Sequence, residues 1–261
     1  MNLKWYRIIF IAVVLFVMGA VFGDTLHAQQ SQTPMQPFPV NISVTAGDEN
    51  GSMPLTTTLK IVLLITILSL APTILTMVTS FTRIVIILSF MKRAIGTGSQ
   101  PSAQIMVGMA LFLTMYVMTP VWNEINNDAL QPLFNKEITE MEAFERGIKP
   151  IRTFMFKYTR TKDLGLFIHL SKSPRPKNMD DVPTTTLIPA FIISELKTAF
   201  QMGFVLFIPF LIIDMVTASV LLAMGMIVLP PMTISMPFKI LMFVMVDGWY
   251  LVIRSITMGF Q

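Results

Sequence analysis

The fold class this sequence predicts is all-α: a polytopic membrane protein of kinked helical hairpins, with a small helical module outside the membrane. Three observations lead there. Apolar residues make up 53% of the 261 and charged residues only 13%, where a soluble domain has about 25% charged. Apolar blocks long enough to cross a bilayer recur along the chain, interrupted by Pro and Gly that bend or end helices. One segment, residues 123–186, holds 19 of the 34 charged groups and so cannot belong to the same hydrophobic material.

Composition also excludes several function classes. The net charge of +4 would suit nucleic acid, but 10 of the 19 Lys and Arg lie in 123–186, interleaved with 9 of the 15 acids, so no concentrated basic face results. Cysteine is absent, which removes disulfides, thiolate metal sites and cysteine nucleophiles together. His27 and His169 are the two imidazoles, both lie outside the apolar blocks, and no HExxH spacing occurs. No metal site, no cofactor and no catalytic set are expected.

Residues 1–28 read as a secretory signal peptide: Lys4 and Arg7 start it, Ile8 to Val21 form its apolar core, and Leu26-His27-Ala28 offers a cleavage site. The alternative is an uncleaved first membrane helix. Residues 29–58, rich in Gln, Ser, Thr, Pro and Asn, cannot bury a core and are expected to form a flexible extracytoplasmic tail.

Residues 59–122 are expected to form a first pair of hairpin helices. The block from Leu59 to Phe90 would measure about 48 Å as a straight helix, beyond the ~30 Å hydrocarbon core. Pro72 predicts a kink or helical hairpin near Leu70 to Thr73. Arg83, beyond that break, either snorkels to an interface or faces a protein interior. Lys92 and Arg93, followed by Gly96, Gly98 and Pro101, make a basic turn that belongs on the cytoplasmic side, and Ala103 to Trp122 returns across.

This topology puts residues 123–186 outside the cytoplasm, because segments beyond about 60 residues translocate largely regardless of charge. Within it, Ile138, Met141, Phe144, Ile148 and Ile151 give helical spacing over Lys136 to Tyr158, while SKSPRPKNMDDVP is a loop. Asp180 and Asp181 read as an exposed acidic turn in preference to a cation site.

Residues 187–261 are expected to form the second pair. Leu187 to Pro231 is apolar throughout yet carries Glu195, Lys197 and Asp214, each of which needs a polar partner in a membrane setting. Glu195 and Lys197 are two apart and point to different sides of a helix, so they do not pair with each other. The helix returning antiparallel after Pro230-Pro231, and restarting after Pro237, brings Lys239 as the natural partner of Glu195. Along Met232 to Gln261, Lys239, Asp247 and Arg254 fall within about 80° of one another, a single polar stripe. These groups either fix helix register and subunit assembly or take part in transport. Of 22 methionines, 9 follow residue 201. They suit lipid-facing or core packing in the first place, and a deformable pore wall as the second reading.

The run PAFIISELKTAFQMGF from Pro189, followed by PFLIIDMVTASVLLAMGM, resembles the FliP family of flagellar biosynthetic proteins and its SctR/YscR-like type III secretion homologues. FTRIVIILSFMKRAIGTGSQP at Phe81 to Pro101 is similar to the same family's first conserved region. The resemblance covers everything after the tail, most weakly 123–186, and the leader favours a flagellar member.

The resemblance implies a subunit of the protein export gate in the bacterial inner membrane at the flagellar basal body. Several copies would assemble with Q-type and R-type membrane subunits, beside other export proteins, into a helical, cone-shaped channel. Unfolded rod, hook and filament proteins would pass through it, with residues 123–186 on the periplasmic side. The family's methionine run at the channel constriction corresponds to Met226, Ile227 and Val228, of which Met226 alone keeps the type; Ile227 and Val228 stay apolar but are less flexible. The family's buried acid and base correspond to Glu195 and Lys239, an ion pair for assembly, with Arg83, Asp214, Asp247 and Arg254 as further buried polar groups. The rival reading is a proton-coupled small-solute transporter with Glu195 or Asp214 as proton carrier, which would need inverted repeats that the sequence lacks.

Overall fold

The structure, a computed structural model, describes residues 55–171, 176–226 and 228–260. The expected signal peptide, nearly all of the expected tail, and Ile227 lie outside the described residues. Among the described residues all regular structure is helical, and the all-α reading holds. Among the described residues two helical stretches, Ala103–Phe134 and Thr184–Ala223, are long and apolar enough to cross a membrane, and up to four if each bent pair counts as one span.

The chain divides between Ile74 and Leu75 into two compact units. The first is described along helix α1, Leu55–Val78, which runs on past the boundary. In this unit Leu59, Val62, Leu63, Ile65 and Leu70 are exposed, while Thr66 and Ser69 return their hydroxyls to the carbonyls of Val62 and Ile65. Such back-bonding satisfies a polar side chain without leaving an apolar helix.

The helical hairpin that Leu70 to Thr73 offered does not turn there. Pro72 sits inside α1, and the chain leaves the helix at Thr79-Ser80, with an 80° bend between Pro72–Val78 and α2, Phe81–Ile95. A proline removes one donor and strains one turn, which a long apolar helix absorbs. The turn at Thr79-Ser80 is favoured by the residues on its C-terminal side. Ile84, Ile87, Leu88, Met91 and Ile95 recur at helical spacing and are all buried, so α2 must lie flat on the core. Gly96, at φ 79°, ends it, and Lys92 and Arg93 occupy its last turn, where cations oppose the helix dipole.

Helix α3, Ala103–Ile125, starts on Ser102, whose hydroxyl accepts from the Ile105 N–H. It continues through a π-helical turn, Asn126–Leu130, into α4, Gln131–Phe134. Helix α5, Glu140–Tyr158, begins at Thr139, whose hydroxyl accepts from Glu142 N–H. It is shorter than the expected 136–158, because Thr139 and Glu142 have capping-box spacing and Lys136, at φ 60°, ends the preceding segment. Helix α6 spans Thr161–Leu170. In the loop after it, the Asp181 carboxylate accepts from the backbone N–H groups of Lys177 and Asn178 and shapes the turn.

Helix α7, Thr184–Ala223, keeps 40 residues together through Pro189 and Pro209, about 60 Å of helix. Its first half buries Leu187, Ala190, Phe191, Ser194, Glu195 and Ala199, one stripe facing α2, α5 and α6. Close approach to α2 requires Gly203: a Cβ there would lie 2.8 Å from ring carbons of Phe90. Helix α8, Pro231–Met245, starts at the second of the paired prolines and runs through Pro237 without the expected restart there. Pro231 occupies N1, where a missing N–H costs nothing. A 65° bend then leads to α9, Gly248–Met258.

Candidate functional site

Two features of the second unit stand out: a buried polar layer crossing α7, and the apolar tip joining α7 to α8.

The layer starts from Ser194 and Glu195, which occupy positions where the buried stripe of α7 calls for apolar side chains. Glu195 is fully buried and Arg83, from α2, is 3% exposed. Arg83 Nε donates to Glu195 Oε2 at 2.8 Å, and its Nη2 meets Glu195 Oε1, a bidentate pair. The remaining fork nitrogen, Nη1, donates to the Gly259 carbonyl at 2.9 Å, and the guanidinium lies 4.0 Å from the Phe260 ring centroid and 5.3 Å from that of Tyr158. Tyr158 Oη donates in turn to the Phe260 carbonyl at 2.5 Å.

On the same level Ser194 Oγ donates to Asp163 Oδ2 at 2.8 Å and accepts from the Arg160 N–H at 3.0 Å. The Arg160 side chain reaches Gln201 at 2.5 Å and Thr198 at 3.3 Å. Segment 123–186 is therefore fastened to α7 by hydrogen bonds as well as by Phe154 and Phe191. Sequence reasoning missed this half of the layer. Asp163 and Ser194 are 31 residues apart, and no spacing rule links them.

The pairing expected between Glu195 and Lys239 is not formed. Lys239, 2% exposed, donates to Asp214 Oδ2 at 2.5 Å, and Ser235 Oγ bonds the other carboxylate oxygen. The antiparallel return is the right premise, applied at the wrong height. α8 starts only eight residues before Lys239 and α7 ends nine after Asp214, so these two lie at matching distances from the tip, while Glu195 is almost 20 residues higher. The ammonium lies beside Gly96, at 3.9 Å from where a Cβ there would stand, an ordinary contact distance.

The single stripe of Lys239, Asp247 and Arg254 is also divided. Asp247 adopts φ 51° at the break before α9, so the 100° progression does not carry across it. Asp247 and Arg254, expected to be buried, are exposed in the protomer, as is Lys197; Arg83 is buried, and Asp214 is 24% exposed.

At the tip, α7 closes with a Schellman motif. Gly225 takes φ 72°, Met226 N–H bonds Leu221 O at 2.9 Å, and Gly225 N–H bonds Leu222 O at 3.0 Å. Met226 is 41% and Val228 95% exposed. Large apolar side chains crowd the adjacent surface of α7, among them Phe204, Ile212, Met215, Val216 and Leu222. Among the described residues no group of three or more His, Asp or Glu could hold a metal ion.

Comparison with known proteins bears on what this arrangement serves. The model of the FliP family matches residues 64–256. The flagellar biosynthetic protein FliP of Bacillus subtilis is 52% identical over 221 residues, 85% of this chain and 98% of that protein. Its counterparts in Pectobacterium carotovorum and Aquifex aeolicus are 48% identical over 211 residues, covering 81% of this chain and 82% of that protein, and 43% identical over 225 residues, covering 85% and 92%. A match of this extent, taking in α2, the whole of α7 and its tip, shows that the chain belongs to the FliP family.

Proposed function

We propose that this chain is a core subunit of the flagellar type III protein export gate, a component of a translocation channel and not an enzyme. Several copies join Q-type and R-type subunits around a passage for unfolded rod, hook and filament proteins. Met226, Ile227 and Val228 form its constriction. The assembly belongs to the bacterial inner membrane at the basal body, with residues 123–186 on the periplasmic side.

One observation carries the reading: the protomer leaves apolar surface uncovered in places a bilayer cannot all reach. The distal half of α7 exposes Phe204, Val205, Ile212 and Met215, and in segment 123–186 Phe134, Met141 and Phe144 are each at least 64% exposed. Of these, Met141 and Phe144 are set among charged residues and lie outside the bilayer in this topology. Met141 and Phe144, three residues apart on one face of α5, make an exposed apolar pair of the kind that marks contact with other proteins.

Co-expression with Q-type and R-type partners, followed by detergent purification, tests it. A stable, large hetero-oligomer is the expected product; a monomer or dimer that moves a small solute refutes the proposal. Topology is tested with His169→Cys, a unique thiol in this cysteine-free chain on an exposed site. It should react with an impermeant maleimide from the periplasm, and labelling only from the cytoplasm would invert the arrangement.

A further inference from the structure

We propose that α9 and the turn after it form a hinged strap, closed by seating Phe260 against Arg83, and that closure seals the Arg83–Glu195 ion pair. This rests on the geometry of the second unit and not on the export reading.

The strap has a hinge at one end. Asp247, a non-glycine residue, takes the left-handed φ 51° and ψ 55°, a conformation that persists only when its surroundings hold it. Next to it the Phe243 ring packs so close to Gly248 that a Cβ there would lie 2.1 Å away, which leaves glycine as the residue that fits at the start of α9. The strap has a latch at the other end: Gly259 O accepts from Arg83, Phe260 O accepts from Tyr158, and the Phe260 ring packs edge-to-face with Tyr158 at 5.2 Å.

Between hinge and latch the hold is limited, beginning with Trp249 edge-to-face on Phe243 at 5.3 Å. Past Gly248, α9 buries only Val252 and Ile256, while Tyr250, Leu251 and Met258 are about half exposed or more. Few buried apolar contacts and dependence on its ends mark a unit that opens locally, ahead of the core. Opening would take the acceptor from Arg83 Nη1 and the aromatic cover from one face of its guanidinium. Water would then reach a pair that is now dry, and attraction between charges weakens several-fold as the effective dielectric rises. Glu195 lies on α7, so the state of the strap is felt by the helix that carries the hairpin tip.

Limited trypsin digestion of the full chain in detergent tests the latch, because Arg254 is an exposed cleavage site within the strap. Phe260→Ala should speed cleavage after Arg254 by about tenfold, and Tyr158→Phe, which removes one hydrogen bond, by a smaller factor. Cleavage at Arg146, in α5, should keep its wild-type rate. Unchanged cleavage after Arg254 in both variants overturns the latch, and acceleration at Arg146 in step overturns the local hinge in favour of global unfolding. Amide exchange over Ser194–Thr198 reads the seal: it should rise in Phe260→Ala, and wild-type exchange there would refute the coupling.

Discussion

Replacing Arg83 with Met removes the counter-charge of a carboxylate that has no contact with solvent. Glu195 takes both of its hydrogen bonds from Arg83 and is 0% exposed. Stripping one partner from a buried pair costs about 3–5 kcal/mol, because the other charge is left uncompensated. At roughly 2–4 °C per kcal/mol for a unit of this size, the melting temperature should fall by about 6–20 °C. Arg83→Met/Glu195→Leu removes both charges and should recover most of that loss, since well-packed apolar replacements are often neutral. Thermal melts in detergent of wild type, both single variants and the double give the coupling energy. A second cycle, Glu195→Leu with Lys239→Met, should give coupling below about 0.5 kcal/mol in the isolated protomer, while Asp214→Asn with Lys239→Met should couple strongly. Additive losses for Arg83 and Glu195, or strong coupling of Glu195 to Lys239, would refute the Arg83–Glu195 pairing.

Three further substitutions probe local features. Gly203→Ala puts a methyl group 2.8 Å from Phe90 and should cost about 1–3 kcal/mol as overpacking; Phe90→Leu in the same chain should restore stability, and a neutral Gly203→Ala would show that α2 and α7 have room to part. Thr139→Ala removes the cap of α5 and should cost up to about 1 kcal/mol, read as faster amide exchange over Glu140–Ala143 with the core unchanged. Gly225→Val forces a β-branched residue to φ 72°, at about 1–2 kcal/mol for the left-handed conformation alone. It should lower the melting temperature and change the labelling rate of a cysteine placed at Val228, which an intact Schellman turn would leave as it was.

The helices were legible in the sequence because their signals are local. The apolar block that becomes most of α3, from Ala103 to Trp122, is visible as a run along the chain, and so is the proline pair opening α8. What could not be read was which polar groups meet. Arg83 and Glu195 are 112 residues apart, and their meeting depends on how far α2 slides along α7, which is settled by Gly203 against Phe90 and by the position of the break at Thr79-Ser80. The apolar spacing of α5 was real but did not mark one face of a core: Phe154 and Met155 are buried, whereas Met141 and Phe144, on the expected stripe, stand out from the protomer. Periodicity gives a direction around a helix axis and says nothing of what, if anything, covers it. The stripe on α8 and α9 failed because periodicity assumes an unbroken helix.

The fastening of α7 is also a matter of height. Apolar contacts between two long helices are nearly indifferent to sliding by one 1.5 Å step, since a methyl group that leaves one neighbour finds another. Hydrogen bonds are not, because a shift of that size takes donor and acceptor out of reach. Arg152 meets α7 at its first residue, Thr184. The bonds from Arg83, Arg160 and Asp163 all fall between Ser194 and Gln201, about two turns of a helix of roughly eleven. Those two turns act as a vernier: they fix where a rod of about 60 Å stands along its own axis, and with it how far its tip, more than about 30 Å away, protrudes.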